Sequence, residues 1–361
     1  MSEHAPAITV QNTDPSVPSS GSPGMRFTVD GWDPSYGTSL EVEDDLGESS
    51  ARVDVTVEMP ADQWAPVRID PTVGRPEAIL FVDGVRRIEA RIWIDDVTAA
   101  DADTFASSSA TEASAALCAS YAAGTVCCCP AEGAHLLTTE RRRGLFTVAP
   151  HAVDVTTSAG VYRANHTAAD PAQNLSVTLS AALQRRLAEL EVVAAVNARA
   201  ELEEHGVPDS GDLLVIDGPL RGRTQLPRAL GFIKSHRTAY LDAPLHSMVG
   251  ALAPGERTPV FLMGTSWDRH SWYLRLPCAP GAPWAGIVRV ECAADLSAAA
   301  AIELANLSQA ALPRFASTEY KDSRAPQNLY PIAGLERELR RRLSNPALLY
   351  RALRKAATTP I

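Results

Sequence analysis

The sequence predicts an α/β protein with a mixed β-sheet flanked by helices and with additional strands on its N-terminal side. Two observations predict this class. Two short apolar runs, 78–82 and 213–216, each end in Asp-Gly and are typical of buried strands. Between them, residues 176–205 carry leucines at helical spacing, which indicates a long helix packed against the sheet.

The N-terminal half is predicted to hold most of the strands. Residues 1–24 are rich in Ser, Pro and Gly and are expected to form a disordered tail, so the folded domain spans 25–361. A loop rich in Ala, Ser and Asp is expected over 95–114. The predicted strands are 26–29, 53–57, 78–84, a returning antiparallel strand 85–94, 115–129 and 136–148.

The C-terminal half is predicted to alternate helices and strands. Ser176 is the expected N-cap of the long helix, and the segment 205–208 (His-Gly-Val-Pro) is its expected stop. The elements expected after it are strand 213–218, a helix around 226–237, strands near 258–264, 271–276 and 286–292, a helix over 294–311 and a final helical segment from Ile332.

The charge is unevenly distributed. The chain carries a net charge of -10, but the segment from Lys321 to the end has nine Lys or Arg and three Asp or Glu, a difference of +6 that leaves -16 on the remainder. An acidic body with a basic tail permits contact with DNA without indiscriminate binding. A solvated amphipathic helix is the alternative explanation of the tail.

Composition also bears on location. No apolar run approaches the roughly 18 residues of a membrane span, and the N-terminus lacks the pattern of a signal peptide. Of the six cysteines, three are adjacent (Cys127, Cys128 and Cys129), which suits neither a spaced disulfide framework nor CxxC zinc ligation. We therefore expect reduced thiols, a cytoplasmic protein and no membrane contact.

The two aspartates carry the predicted chemistry. Asp83 and Asp217 each end an apolar strand, and strand ends of one sheet converge on one crevice. Carboxylates there suit Mg²⁺ or Mn²⁺, which prefer oxygen ligands. The alternative is that each Asp-Gly only begins a turn.

The intervening helix offers a third carboxylate. At 100° per residue, Glu191 lies about 40° from Leu187 on the apolar stripe, whereas Glu189 lies on the opposite side. Glu201 also projects inward, but nearer the helix end. An inward carboxylate is costly without a cation or hydrogen-bond donors, so Glu191 is the predicted ligand and Glu201 the reserve.

Asp on the first strand, Glu on the helix and Asp on the later strand is the RNase H-like arrangement. Metal ions on that scaffold activate water and stabilise the leaving oxygen of a phosphodiester. Lys234 is expected to contact a scissile phosphate, with a helix-surface lysine as the alternative. Four arginines near the two Asp-Gly pairs are candidate contacts for backbone phosphates: Arg86, Arg87, Arg221 and Arg223.

The motifs resemble those of NurA-family nucleases. The matching blocks are 81–84 (Phe-Val-Asp-Gly), 214–220 (Leu-Val-Ile-Asp-Gly-Pro-Leu), 231–235 (Gly-Phe-Ile-Lys-Ser) and Tyr330-Pro331, within roughly 78–340. The resemblance implies a Mn²⁺-dependent deoxyribonuclease acting in DNA end processing, repair or defence. It also implies a homodimer that docks onto a hexameric HerA-like ATPase.

The resemblance assigns residue roles as well. It implies that Asp83, Glu191 and Asp217 bind metal and that Tyr330 lines the site. The family usually has a His eight residues after that Tyr, where this chain has Glu338, with Glu336 nearby. An acidic residue there is a possible substitute ligand, and a catalytically weak or inactive adaptor of a translocase is an alternative. Two further alternatives are an RNase H-like nuclease acting on RNA and an unrelated α/β enzyme that uses both aspartates as acid and base.

Overall fold

The computed structural model describes residues 51–95, 113–206, 211–236, 238–279, 281, 284–318 and 320–358. The predicted tail 1–24, the predicted strand 26–29 and most of the predicted loop 95–114 lie outside the described residues.

The described elements comprise eleven strands and five α-helices, with short 3₁₀ turns at Ala61–Gln63 and Leu312–Phe315. The strands are β1 (Arg52–Asp54), β2 (Ala78–Asp95), β3 (Ala113–Cys129), β4 (Gly133–Thr147), β5 (Val155–Thr157), β6 (Gly160–His166), β7 (Asp212–Asp217), β8 (Ala229–Ile233), β9 (Phe261–Gly264), β10 (Asp268–Arg275) and β11 (Ile287–Ala293). The helices are α1 (Leu175–Glu204), α2 (Ala243–Ala251), α3 (Ala298–Ala311), α4 (Tyr330–Arg342) and α5 (Pro346–Ala356).

The described strands join in one mixed sheet in the order β1-β9-β10-β11-β8-β7-β2-β3-β4-β6-β5. At its centre β2, β7 and β8 run parallel, because β2 pairs with β7 and β7 pairs with β8 in parallel register. The hairpin β3–β4 extends the sheet on the other side of β2 through antiparallel pairs. The α/β class with helices flanking a mixed sheet is confirmed.

Different helices pack on the two faces of the central strands. On β2, Leu80 and Val82 pack with α1, whereas Ile79 and Phe81 lie in the cluster that includes residues of α3 and α4. Because side chains alternate along a strand, Asp83 continues the face of Ile79 and Phe81. The strand period therefore directs Asp83 towards the side of the sheet that α4 covers.

The expected returning strand 85–94 is wrong, because β2 is one continuous strand from Ala78 to Asp95. β3 pairs along its whole length, with a register shift between Ile88 and Ala90. The Asp83-Gly84 pair does not turn the chain, since continuous pairing with β3 outweighs the local turn preference of these two residues.

Helix α1 begins and ends close to the prediction, but its cap differs. The side chain of Asn174, rather than that of Ser176, is the N-cap and accepts a 2.9 Å hydrogen bond from the Ser176 backbone N–H. Leu183, Leu187 and Ala194 are buried against the sheet, as the periodicity predicted.

The predicted helix around 226–237 is also wrong, because 229–233 forms strand β8. Its apolar residues lie between β7 and β11, and a short apolar run does not distinguish a strand from a helix by periodicity. Strands β5 and β6 and helix α2 were not predicted. Within the described residues, no helix is both long and apolar enough to cross a membrane.

Candidate functional site

Asp83 and Asp217 lie at the same level on neighbouring parallel strands. Val82 pairs with Ile216 in the β2–β7 register, so the two aspartates that follow are adjacent across the strands, which are about 4.8 Å apart. Asp83 is buried, and Asp217 is partly buried at the last position of β7. The two aspartates come together as predicted, but only Asp217 ends its strand, because β2 continues through Asp83 to Asp95.

Lys234 contacts Asp217 from the position just after the third parallel strand. It follows β8 directly rather than lying on a helix, and its Nζ donates to Asp217 Oδ2 at 2.7 Å and to Asn328 Oδ1 at 3.0 Å. The Asn328 amide in turn donates to Asp322 at 2.8 Å. This chain of contacts fixes the ammonium group beside the carboxylates.

Glu191 approaches the site from α1, on the opposite face of the sheet. It is buried, as its inward projection predicted, and forms an ion pair with the buried Arg223. A Cβ atom on Gly84 would lie 2.5 Å from Glu191 Oε1 and 2.6 Å from Leu187 Cδ1. Glycine at position 84 therefore allows the carboxylate to reach the strand beside Asp83.

Burial and neighbouring charges shift the pKa values of the carboxyl groups in the site. Burial raises the pKa of Asp83 well above its usual value, and the Asp217 carboxylate raises it further, while Lys234 opposes the shift and Glu191 and Glu336 add to it. Burial also raises the pKa of Glu191 to about 7, against the opposing charge of Arg223. The Asp83 side chain accepts a hydrogen bond from the Gly84 backbone N–H at 2.7 Å.

Helix α4 contains two acidic residues, Glu336 and Glu338, and the charge of Glu336 raises the pKa of Asp83. Glu336 accepts hydrogen bonds from Arg324 at 2.6 Å and Arg340 at 2.7 Å. Burial alone would raise the pKa of Glu336, but these two arginines lower it, so that the residue presents a charge towards Asp83. Glu338 instead pairs with Arg341 and Arg342, both of which are exposed.

Two other expected site residues lie apart from this group. Tyr330 begins α4, and its hydroxyl is 2.8 Å from the Thr318 hydroxyl. Glu201, the reserve ligand, lies in the last turn of α1 and is half-buried. Within the described part of the chain, neither side chain lines the cleft that contains Asp83.

That cleft has a volume of about 1180 Å³ and brings together all three predicted ligands. Its charged lining residues are Asp83, Glu189, Glu191 and Asp217, and Arg86, Arg185, Arg221, Arg223 and Arg340.

Two of the four arginines expected to contact phosphates form ion pairs with glutamates of the protein instead. Arg223 is buried and donates to the Pro219 carbonyl at 2.7 Å in addition to its pairing with Glu191. Arg87 pairs with Glu89 at 2.8 Å. Arg86 and Arg221 are exposed at the cleft and remain candidates, and Arg86 also donates a 3.3 Å hydrogen bond to the Ser180 carbonyl.

The three carboxylates do not form a compact ligand set. Within the described residues, the one group of three possible metal ligands with atoms within 4.8 Å of one another is Cys127, Cys129 and His135. These lie at the tip of the β3–β4 hairpin. Adjacent cysteines do not match the usual spacing of zinc ligands, but alternation along a strand places Cys127 and Cys129 on one face, opposite a histidine on the next strand.

Comparison with protein-family models gives no match for this chain, and comparison with curated proteins gives none either. The resemblance to NurA-family nucleases therefore rests on the short motifs alone.

Proposed function

We propose that this chain is a metal-dependent deoxyribonuclease with an RNase H-like core. The observation that carries the proposal is the pair Asp83 and Asp217, side by side on parallel strands at the edge of a large cleft that Glu191 also lines. Paired carboxylates at such a position are typical ligands of Mg²⁺ or Mn²⁺.

The strand order supports the RNase H-like core. The five strands β4-β3-β2-β7-β8 place the two aspartate-bearing strands together, with β3 antiparallel to β2 and with β7 and β8 parallel to it. Helix α1 lies between the hairpin and β7 in the chain and supplies Glu191. Along the chain the carboxylates therefore follow in the order Asp83, Glu191 and Asp217, which is the order expected from the sequence.

The residues fit a divalent cation on electrostatic grounds. A buried carboxyl beside a second carboxylate, with its pKa raised, is costly to ionise unless a cation neutralises it. Asp83 and Asp217 would hold the ion, with Glu191 from one face of the sheet and Glu336 from the other. When bound, Mn²⁺ or Mg²⁺ supplies Lewis-acid activation of water and of the phosphodiester.

The remaining charges suit a nucleic-acid substrate. Arg86, Arg185 and Arg221 are exposed around the cleft and would hold backbone phosphates. Lys234, fixed by Asp217 and Asn328, would stabilise charge on a phosphate oxygen. The basic residues of α4 and α5 would guide DNA or dock a HerA-like hexameric ATPase. We propose a homodimer on the resemblance alone and a cytoplasmic location on the composition of the chain.

The direct test compares Mn²⁺-dependent cleavage of linear DNA by the wild type, Asp83→Asn and Asp83→Ala. We expect a loss of roughly 1000-fold, because metal stabilisation of the transition state is worth several kcal/mol. Asp70→Asn is the control, since Asp70 is an exposed carboxylate ahead of β2. Cleavage by Asp83→Ala at the wild-type rate would rule the assignment out.

A second candidate is a non-catalytic adaptor of a DNA translocase. It is favoured by Glu338 at the position where the family pattern has a His, and by the pairing of Glu191 with Arg223 and of Asp217 with Lys234. Absence of cleavage of single-stranded DNA, duplex DNA and RNA with Mn²⁺ or Mg²⁺, in a folded protein that binds DNA, would support the adaptor. Cleavage of RNA alone would instead support the RNA-directed alternative.

A further inference from the structure

The tip of the β3–β4 hairpin carries a compact group of sulfur and nitrogen ligands. Cys127 and Cys129 lie two residues apart on β3, and His135 on β4 pairs directly with Cys127. One ligand atom from each of the three side chains lies within 4.8 Å of the other two. A hairpin can hold such a group without rearrangement, because the backbone ladder fixes the relative position of the side chains.

The histidine ring is oriented for coordination through Nε2. Its Nδ1 lies 3.3 Å from the Gly133 carbonyl oxygen. A carbonyl only accepts, so Nδ1 carries the proton, and in the neutral ring Nε2 keeps its lone pair. Metal-binding histidines are typically held by such a second contact. Nε2 is 3.6 Å from Glu132 Oε2, so an exposed carboxylate lies beside the imidazole, outside the compact group of three.

The cysteines also have the surroundings of metal ligands. The Glu132 backbone N–H donates to Cys129 Sγ at 3.4 Å, a contact that stabilises a thiolate. Cys127 is fully buried beside residues of α1, whereas Cys129 and His135 are half-buried and open to solvent on one side.

A disulfide between the two cysteines fits this geometry less well. Residues two apart on a strand are separated by roughly 6.6 Å, at the upper end of the range that a disulfide spans. The structure has both thiols free.

We propose that Cys127, Cys129 and His135 bind a zinc ion, and that the exposed side chain of Glu132 turns towards it as the fourth ligand. Thiolate and imidazole ligands select zinc over Mg²⁺ or Mn²⁺, and four such ligands suit its tetrahedral coordination. The ion would close the hairpin tip and fix it against α1, which is a structural role.

This site is separate from the carboxylate cleft. Cys127 pairs with Leu80, which precedes Asp83 by three residues, or about 10 Å along the strand. The proposal therefore does not depend on nuclease activity, and its test does not require it.

The test measures zinc binding to the full-length protein under reducing conditions, by equilibrium dialysis against ZnCl₂ and elemental analysis. We expect one zinc per chain in the wild type, and binding weakened at least about 100-fold in Cys129→Ser and in His135→Ala. Co²⁺ in place of zinc should give thiolate-to-metal absorption in the wild type, and this absorption should weaken strongly in Cys129→Ser, which keeps only the Cys127 thiolate.

Cys128→Ser is the matched control. Cys128 lies between the two ligands but on the other face of β3, where it packs against the core. It should bind zinc like the wild type, and circular dichroism should show that all variants are folded. Should a variant not fold, the Co²⁺ absorption of the wild type and of Cys128→Ser decides the question.

Two results would overturn the proposal. One is a wild-type protein with six reduced thiols that binds no zinc. The other is zinc retained in Cys129→Ser but lost in the Asp83→Asn, Asp217→Asn double variant, which would locate the ion in the cleft.

Discussion

The β2–β3 strand pair supports two groups of possible metal ligands that are organised in opposite ways. In the cleft, carboxylates face cations of the protein itself, with Glu191 paired to Arg223 and Asp217 to Lys234. At the hairpin tip, the thiols and the imidazole already lie within 4.8 Å of one another. The hairpin is thus assembled for a soft ion, whereas a hard ion in the cleft must compete with internal cations.

This difference has an energetic origin. Ionised carboxylates repel one another at close range in a buried setting, and the fold offsets this repulsion by pairing Glu191 with Arg223 and Asp217 with Lys234. Thiols are neutral until they bind metal and can lie together without a counter-charge. Side chains from distant elements are therefore expected to converge in the cleft only when a cation is bound.

The largest expected effect follows from removing an internal cation from the cleft. Arg223→Met leaves Glu191 buried without its partner, and we expect the free energy of unfolding at pH 8 to fall by about 4 kcal/mol. Arg221→Met, at an exposed position of the same loop, should change it by less than about 0.5 kcal/mol. Urea denaturation measures the free energy of unfolding of both variants. Equal losses would show that the Arg223–Glu191 ion pair contributes no more to stability than the exposed Arg221 does.

The raised pKa of Glu191 predicts a pH dependence of stability. The folded-state pKa of about 7 exceeds the reference value of 4.5, so the folded protein binds more protons between these values. Stability from this group is therefore present below pH 4.5 and lost as the pH rises through 7.

Compared with Glu191→Gln, the wild type should lose about 3 kcal/mol in free energy of unfolding between pH 4.5 and 8. Parallel urea titrations of both proteins, without metal, measure the difference. If the two curves keep a constant separation over this range, Glu191 does not titrate as proposed.

The smallest expected effects on stability come from substituting one glycine in each region, Gly84 beside the cleft and Gly133 at the hairpin tip. Gly84→Ala places a Cβ against Glu191 and Leu187, and overpacking of this kind costs about 2 kcal/mol. Gly133→Ala meets no neighbouring atom, but Gly133 has φ +71, so its cost is about 1 kcal/mol from backbone strain. Thermal unfolding of both variants tests the order, and Gly84→Ala at wild-type stability would mean that α1 can move away.

Much of the cleft could be predicted from the sequence, because it depends on features that are local. Apolar runs ending in Asp-Gly predicted β7 and the buried part of β2, and helical spacing predicted that Glu191 is buried. The continuation of β2 through Gly84 was not predictable, because pairing with β3 decides it.

The side chains that contact the predicted ligands could not be predicted from the sequence alone. The partners of Glu191 and Asp217 come from loops and from β8, which was predicted as a helix. The ligand group at the hairpin required knowledge of the β3–β4 register, since only the pairing of Cys127 with His135 brings the histidine to the cysteines. Cross-strand register is set by long-range pairing, and no single segment reveals it.

The proposed nuclease activity depends most on the binding of a divalent cation by Asp83 and Asp217. Calorimetric titration of the metal-free protein with MnCl₂ tests it directly, with Asp217→Asn and Cys129→Ser as the paired variants. We predict Mn²⁺ binding by the wild type and by Cys129→Ser, and its loss in Asp217→Asn. Equal Mn²⁺ affinity in the wild type and Asp217→Asn would contradict the claim.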